Sequence, residues 1–193
     1  MKNSIKKLSD SDFTISLWSG GETTQLYIYP EGSSFNKRDF QARISSATVE
    51  LEESNFTKLD KINRFLTPLD GNLRLSHDGK TFTDLKPFQI YEFDGSIETK
   101  SYGKVRDFNL MLANGAEGEL KCLFVGKEKE IWTSLSYGIN VLYSYNNTFK
   151  ITFEEEAVML ESNEVLIIKT NLTAQIKIQS DKGAYILLSR IIE

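Results

Sequence analysis

The stretch that decides the fold is Leu17–Pro30, LWSGGETTQLYIYP, in a chain of 193 residues. Two glycines and several small polar residues come directly before an alternating, strand-like segment. Glycine lets a second backbone or a ligand approach closely, and polar residues at the mouth of a sheet supply hydrogen-bonding groups. We therefore predict a binding loop on a β scaffold, in which Trp18 forms one wall of a pocket.

Three candidate binding residues follow the glycines directly. They are Glu22, Thr23 and Thr24, whose backbone N–H groups and side chains could hold a carboxylate as an anion nest. The alternative is the plain start of a strand after a tight turn. The sequence alone leaves both interpretations open.

Short strand-like segments fill the rest of the chain, and helical patterns are scarce. Asp-Gly and similar pairs, which tolerate positive φ, separate these segments and indicate hairpins. We predict an all-β fold. A weak echo between residues 72–91 and 148–166 suggests two jelly-roll-like halves, residues 13–112 and 118–193, and the alternative is one long sandwich. The predicted strands cover residues 26–29, 40–46, 62–69, 72–76, 88–93, 105–112, 121–125, 139–145, 149–153, 165–169, 174–179 and 185–191.

Composition and charge exclude several classes of function. The formal net charge is −4, which argues against the concentrated basic surface that nucleic acid requires. No apolar run approaches the roughly 20 residues that span a bilayer, and residues 1–13 lack the apolar core of a secretory signal. The single cysteine, Cys122, excludes an internal disulfide. We predict a cytoplasmic protein that binds neither nucleic acid nor membrane.

A functional metal is not expected. His77 is the only histidine, and one imidazole with scattered carboxylates is a poor transition-metal site. The surrounding His-Asp-Gly turn predicts that His77 is an exposed hairpin residue. We therefore predict no metal and no other cofactor.

Arg43 is the leading candidate for ligand binding. Strand alternation in residues 40–46, FQARISS, places Arg43 and Ser45 on one face of the strand. A guanidinium group binds a carboxylate through two parallel hydrogen bonds. The alternative is an arginine that faces solvent or pairs with a structural carboxylate.

A second arginine and two polar residues complete the candidate site. Arg64 shares a strand face with Ile62 and Leu66, so its charge lies among apolar neighbours and needs an acid or a ligand. Asp107 and Asn109 alternate with apolar residues and therefore point the same way. The alternatives are an Arg64–Asp107 ion pair and a polar edge that faces solvent.

Five stretches of the first half, in order, resemble the HutD/Ves family, a double-cupin branch of the cupin superfamily. Ala42 stands where many members carry tryptophan, and the loop after Trp18 is shorter than in many members. The matching stretches are residues 18–30, 40–47, 62–71, 85–95 and 105–111.

The resemblance implies a double cupin-like fold. It also implies binding of a small acidic metabolite, such as formylglutamate, by ancillary or regulatory proteins of histidine utilisation or stress response. We predict non-catalytic binding of a small anionic metabolite. One alternative is a metal-independent isomerase or lyase that uses Glu22, Asp107 or a buried tyrosine. Another is a protein-interaction module or homodimer without a small ligand.

Overall fold

The computed structural model describes residues 3–113 and 115–192. Within these ranges the regular structure comprises nineteen β-strands and one short 3₁₀ helix, Asp10–Asp12, which confirms the predicted all-β class. The first strands are β1 (Ser4–Leu8), β2 (Thr14–Trp18), β3 (Gly21–Tyr29), β4 (Ala42–Val49), β5 (Glu53–Asn55), β6 (Ile62–Asp70), β7 (Leu73–Ser76), β8 (Thr83–Leu85), β9 (Tyr91–Asp94), β10 (Lys100–Tyr102) and β11 (Val105–Ala113). The later strands are β12 (Glu117–Val125), β13 (Lys129–Leu135), β14 (Gly138–Ser144), β15 (Phe149–Phe153), β16 (Glu156–Leu160), β17 (Val165–Thr170), β18 (Ala174–Ser180) and β19 (Ala184–Ile192).

The chain divides into two compact units. The N-terminal unit comprises residues 13–116, and its strands form a six-stranded sheet, β2-β3-β4-β11-β6-β9, and a four-stranded sheet, β5-β10-β7-β8. The C-terminal unit comprises the described residues from 117 onward together with residues 3–12. It has a five-stranded sheet, β1-β17-β14-β19-β12, and a four-stranded sheet, β13-β18-β15-β16.

The two units have the same strand order: adding eight to the strand numbers of the N-terminal repeat gives the order in the C-terminal repeat. In the larger sheets β4-β11-β6-β9 corresponds to β12-β19-β14-β17, and in the smaller sheets β5-β10-β7-β8 corresponds to β13-β18-β15-β16. The chain therefore contains an eight-strand repeat, β4–β11 and β12–β19. Strands β2 and β3 extend the first repeat at β4, and β1 extends the second at β17.

The sequence analysis missed several strands at sheet edges. Strand β2 is an edge strand whose side chains are all exposed, so it lacks the buried face that produces an alternating pattern. Strands β13 and β16 are edge strands with one fully buried side chain each, which leaves only a weak pattern. The strand predicted from residue 88 begins at Tyr91, because Phe88 has a φ of 65°, in the left-handed region.

Apolar clusters lie inside both units, and each unit also buries polar and charged side chains. Side chains of β12, β14 and β19 in the C-terminal unit, such as Val125, Leu142 and Leu188, pack in a core of leucine, isoleucine, valine and phenylalanine. The N-terminal unit has two smaller apolar clusters, around Leu66 and around Phe40. Buried polar and charged side chains lie on β4, β6 and β11 of this unit, and on β14, β17, β18 and β19 of the C-terminal unit, where they include Arg190. None of the described helical segments has the length and apolar character needed to cross a bilayer.

Candidate functional site

A cavity of about 610 Å³ lies within the N-terminal unit. Strands β2, β3, β4, β6 and β11 of the six-stranded sheet line it, together with residues 33–36 and 54–57. We call it the N-terminal cavity. Its polar lining from the sheet comprises Thr14, Ser16, Thr23, Gln25, Arg43, Ser45, Arg64, Asp107 and Asn109.

Most of the predicted site residues meet in the N-terminal cavity, and two do not. Glu22 and Thr24 fall outside its lining, because strand alternation turns them to the face opposite Thr23. The predicted residues that line the cavity are Trp18, Thr23, Arg43, Ser45, Arg64, Asp107 and Asn109.

Strand register explains why residues so far apart in sequence become neighbours. On β11, Asn109 lies opposite Ser45 of β4, and Met111 lies between Arg43 of β4 and Arg64 of β6. Directly opposed residues of antiparallel strands have adjacent side chains. The alternating polar residues of three strands therefore form one polar surface inside the unit.

Arg43 is buried, and its side-chain hydrogen bonds go to neutral groups. Its side chain donates from Nε to Gln25 Oε1 at 2.9 Å and from Nη1 to Ser45 Oγ at 3.1 Å. The guanidinium carbon lies 4.4 Å from the ring centroid of Phe35. Burial lowers the pKa of Arg43 from 12.5 to about 10. Among the described residues, no carboxylate lies within 4.0 Å of the side-chain nitrogens of Arg43.

Arg64 is only 2% exposed, and its hydrogen bonding is incomplete. Its Nη2 donates to the backbone oxygen of Thr57 at 3.2 Å, whereas its buried Nε has no hydrogen-bond partner in the described part of the chain. The rings of Phe56 and Phe93 lie 5.3 and 5.8 Å from the guanidinium carbon. Burial lowers the pKa of Arg64 to about 10; the charge of Asp107 acts against this shift, and that of Arg43 adds to it.

The acidic and amide groups of the cavity are buried as well. Burial raises the pKa of Asp107 to about 7, although the Ala47 N–H and the Arg64 charge oppose this shift. The ion pair considered between Arg64 and Asp107 is not formed within 4.0 Å, as judged from the described residues. Asn109 Oδ1 is buried and lacks a hydrogen-bond partner among the described residues.

The glycine pair of the opening stretch has a packing role. A Cβ at position 20 would lie 2.1 Å from the Trp18 ring, and a Cβ at position 21 would lie 1.9 Å from the Thr48 carbonyl oxygen. Gly21 also has a φ of 145°, which favours glycine. Residues 22–24 pair with β2 on one side and β4 on the other, so their backbone belongs to the sheet. This corrects the anion-nest interpretation in favour of the start of a strand after a tight turn.

Sequence reasoning missed several residues of the cavity. Gln25 could have been found, because it is in strand phase with Thr23. Phe35, Phe56 and Thr57 lie outside the strands, where no periodic pattern marks them. They contact the two guanidinium groups that the sequence did identify.

The donor set does not fit a divalent metal. The described lining of the cavity offers one carboxylate, no imidazole and two guanidinium groups, and the described residues contain no group of three or more His, Cys, Asp or Glu positioned to hold a metal ion.

The prediction that His77 is exposed is wrong. His77 is partly buried, with Nδ1 2.9 Å from Thr99 Oγ1 and Nε2 2.9 Å from Tyr91 Oη, so its ring fastens the smaller sheet to β9.

Comparisons with known proteins identify the fold and the family. The structure resembles the conserved protein of unknown function PA5104 from Pseudomonas aeruginosa PAO1, with a TM-score of 0.87, 21% identity, and coverage of 98% of this chain and 100% of that chain. It resembles HutD from Pseudomonas fluorescens SBW25 with a TM-score of 0.77, 19% identity and 98% coverage of both chains. The nickel(II)-bound bacterial pirin YhhW from Escherichia coli matches with a TM-score of 0.68 and 10% identity, over 98% of this chain and 99% of that chain.

These similarities confirm the predicted cupin-like all-β fold. No curated protein sequence matches the chain. A sequence model of the HutD family matches residues 10–186, which is most of the chain. The protein therefore belongs to the HutD family, as its sequence motifs predicted.

Proposed function

We propose that the N-terminal cavity binds a small carboxylate and that this binding is non-catalytic. The observation that carries the proposal is a pair of buried guanidinium groups, those of Arg43 and Arg64, without a carboxylate within 4.0 Å in the described part of the chain. Both pKa values are about 10, so both groups are charged near neutral pH. A buried charge without a partner is unfavourable, and an anionic guest would supply the missing partner.

The surroundings of the two arginines suit a small organic anion. The rings of Phe35 and Trp18 and the side chain of Met111 give the cavity an apolar wall, while Thr23 and Ser45 offer hydroxyl groups. Ligand pockets commonly combine apolar walls with a few buried polar groups that fix the orientation of the guest. The cavity volume is sufficient for a metabolite of several carbon atoms.

Family membership suggests the biological setting of this binding. We place the protein in the cytoplasm, as an ancillary or regulatory component of histidine utilisation or a stress response. In this proposal the partner is a small anionic metabolite rather than nucleic acid or a membrane. The net charge of −4 is in keeping with that choice.

Calorimetric titration with butyrate tests the proposal. Wild-type protein should bind butyrate, and Arg43→Ala should weaken binding about 10- to 100-fold, the range expected for a lost charge-assisted hydrogen bond. The matched control is Arg74→Ala, which removes an exposed guanidinium paired with Asp84 at 2.6 Å. Circular dichroism verifies that each variant is folded. Equal butyrate affinity in wild type and folded Arg43→Ala would refute the proposal.

A second candidate function is acid–base catalysis without a metal, and Asp107 is the residue that favours it. A carboxyl with a pKa of about 7 is suited to proton transfer near neutral pH. The test is deuterium incorporation into small hydroxy and oxo acids in D₂O, followed by NMR. Incorporation that Asp107→Asn abolishes while carboxylate binding persists would indicate an enzyme. Binding without incorporation supports passive recognition.

A further inference from the structure

The N-terminal cavity contains buried hydrogen-bond acceptors as well as positive charge. Asn109 Oδ1 has no hydrogen-bond partner among the described residues, and Asp107 lies two residues away on the same face of β11. The buried Nε–H of Arg64 is a donor that has no acceptor in residues 3–113 and 115–192. Within the described lining, a buried donor and a buried acceptor thus remain for a guest to satisfy, in addition to the other N–H groups of the two guanidinium groups.

A guest that excludes water must satisfy both kinds of group. A buried acceptor without a partner costs about 1–3 kcal/mol, so a purely apolar tail placed against Asn109 would leave that cost in the complex. A site built to hydrogen-bond a polar group discriminates against an analogue that lacks it. The guest therefore needs a carboxylate for the guanidinium groups and an N–H or O–H group for the acceptors.

The charge of the cavity favours a monoanion over a dianion. Its titratable groups, within the described lining, are Arg43 of β4, Arg64 of β6 and Asp107 of β11; β2, β3 and residues 33–36 and 54–57 contribute neutral side chains. Above pH 7, where Asp107 is ionised, these groups sum to a single positive charge. One carboxylate neutralises that charge, whereas a second carboxylate beside Asp107 would be repelled.

We propose that the guest is a monocarboxylate that carries an amide or hydroxyl donor, which Asn109 and Asp107 accept while Arg43 and Arg64 hold the carboxylate. This inference rests on the proposed carboxylate binding and specifies its ligand class, which differs from the dicarboxylate formylglutamate that the family resemblance implies. A simple fatty acid and a dicarboxylate of the same length are then poorer guests than their monoamide counterpart.

Titration at pH 8 with three probes of matched length, butyrate, succinate and succinamate, tests the inference. Succinamate should bind about 10-fold more tightly than either of the others, because its amide N–H satisfies the acceptors. Asn109→Leu should remove this preference, so that the folded variant binds succinamate and butyrate with affinities within about threefold of each other. Asn109→Asp keeps an acceptor oxygen at the same position, so it should retain the ratio of succinamate to butyrate affinity.

The outcomes separate the two proposals. Butyrate binding that depends on Arg43, without a succinamate preference in the wild type, would overturn the inference and leave the proposed function standing. Tightest binding of succinate would do the same. Absence of binding by all three probes would overturn both. The wild-type comparison decides the question even where Asn109→Leu fails to fold.

Discussion

The pH dependence of stability should change when Asp107 is replaced by asparagine. Burial raises the pKa of Asp107 from 3.8 to about 7 in the folded protein, so the folded state binds a proton more tightly than the unfolded state. As pH rises between these two pKa values, the unfolded chain loses the proton while the folded protein keeps it. The contribution of Asp107 to the free energy of unfolding therefore falls as pH rises. The full difference between the two pKa values corresponds to about 4 kcal/mol of unfolding free energy. The part that falls between pH 5 and pH 8 is about 2–3 kcal/mol.

Urea denaturation of wild type and Asp107→Asn at pH 5, 6, 7 and 8 measures this effect. The stability of the variant relative to wild type should rise by about 2–3 kcal/mol from pH 5 to pH 8. All other ionisable groups are present in both proteins, so the comparison isolates the contribution of Asp107. Asp84→Asn is the control, because the Arg74 hydrogen bond lowers the pKa of Asp84 and confines its contribution to more acidic solutions. A constant difference between wild type and Asp107→Asn over this range would refute the reasoning.

Three further predictions concern packing. Gly21→Ala should destabilise the protein by about 3 kcal/mol or more in urea denaturation, because its Cβ would overlap the Thr48 carbonyl oxygen. The control Gly32→Ala, with open space around residue 32, should cost about 1–2 kcal/mol. Equal losses of stability in the two variants would contradict the predicted overlap at Gly21. His77→Phe should cost about 1–3 kcal/mol, because two hydroxyl groups lose their imidazole partner; an unchanged denaturation midpoint would show that the contacts contribute nothing. Leu188→Ala should cost about 2–5 kcal/mol in thermal or urea unfolding and leave butyrate affinity unchanged; weakened butyrate binding by the folded variant would contradict the assignment of the ligand to the N-terminal cavity.

The sequence predicted the central strands far better than the edge strands. Residues of β6, β11 and β14 are buried along most of their length, and their composition identifies them directly. Strand β2 is exposed along its whole length, and β13 along much of it, although both pair by backbone hydrogen bonds. Backbone pairing leaves little trace in composition, so such strands cannot be found from the sequence pattern alone.

The same physical distinction applies to the candidate site. Arg43, Arg64 and Asn109 could be assigned to one surface because a period of two holds within a strand and antiparallel register aligns the strands. Glu22 lies outside the cavity because consecutive strand residues point to opposite faces, so the three residues after the glycines cannot all contact one ligand. Phe35 could not be found, since a loop side chain reaches the cavity through chain geometry that no local pattern records.

The pairing of β1 with β17 sets limits on how this chain can be dissected. A fragment beginning at residue 117 would lack β1 and leave residues 165–169 of β17 unpaired on the side away from β14. Such an uncovered apolar edge is a template for aggregation. A circular permutant that carries residues 3–12 behind residue 192 would restore the missing cover. Study of the C-terminal unit in isolation therefore requires a changed chain connectivity rather than a simple truncation.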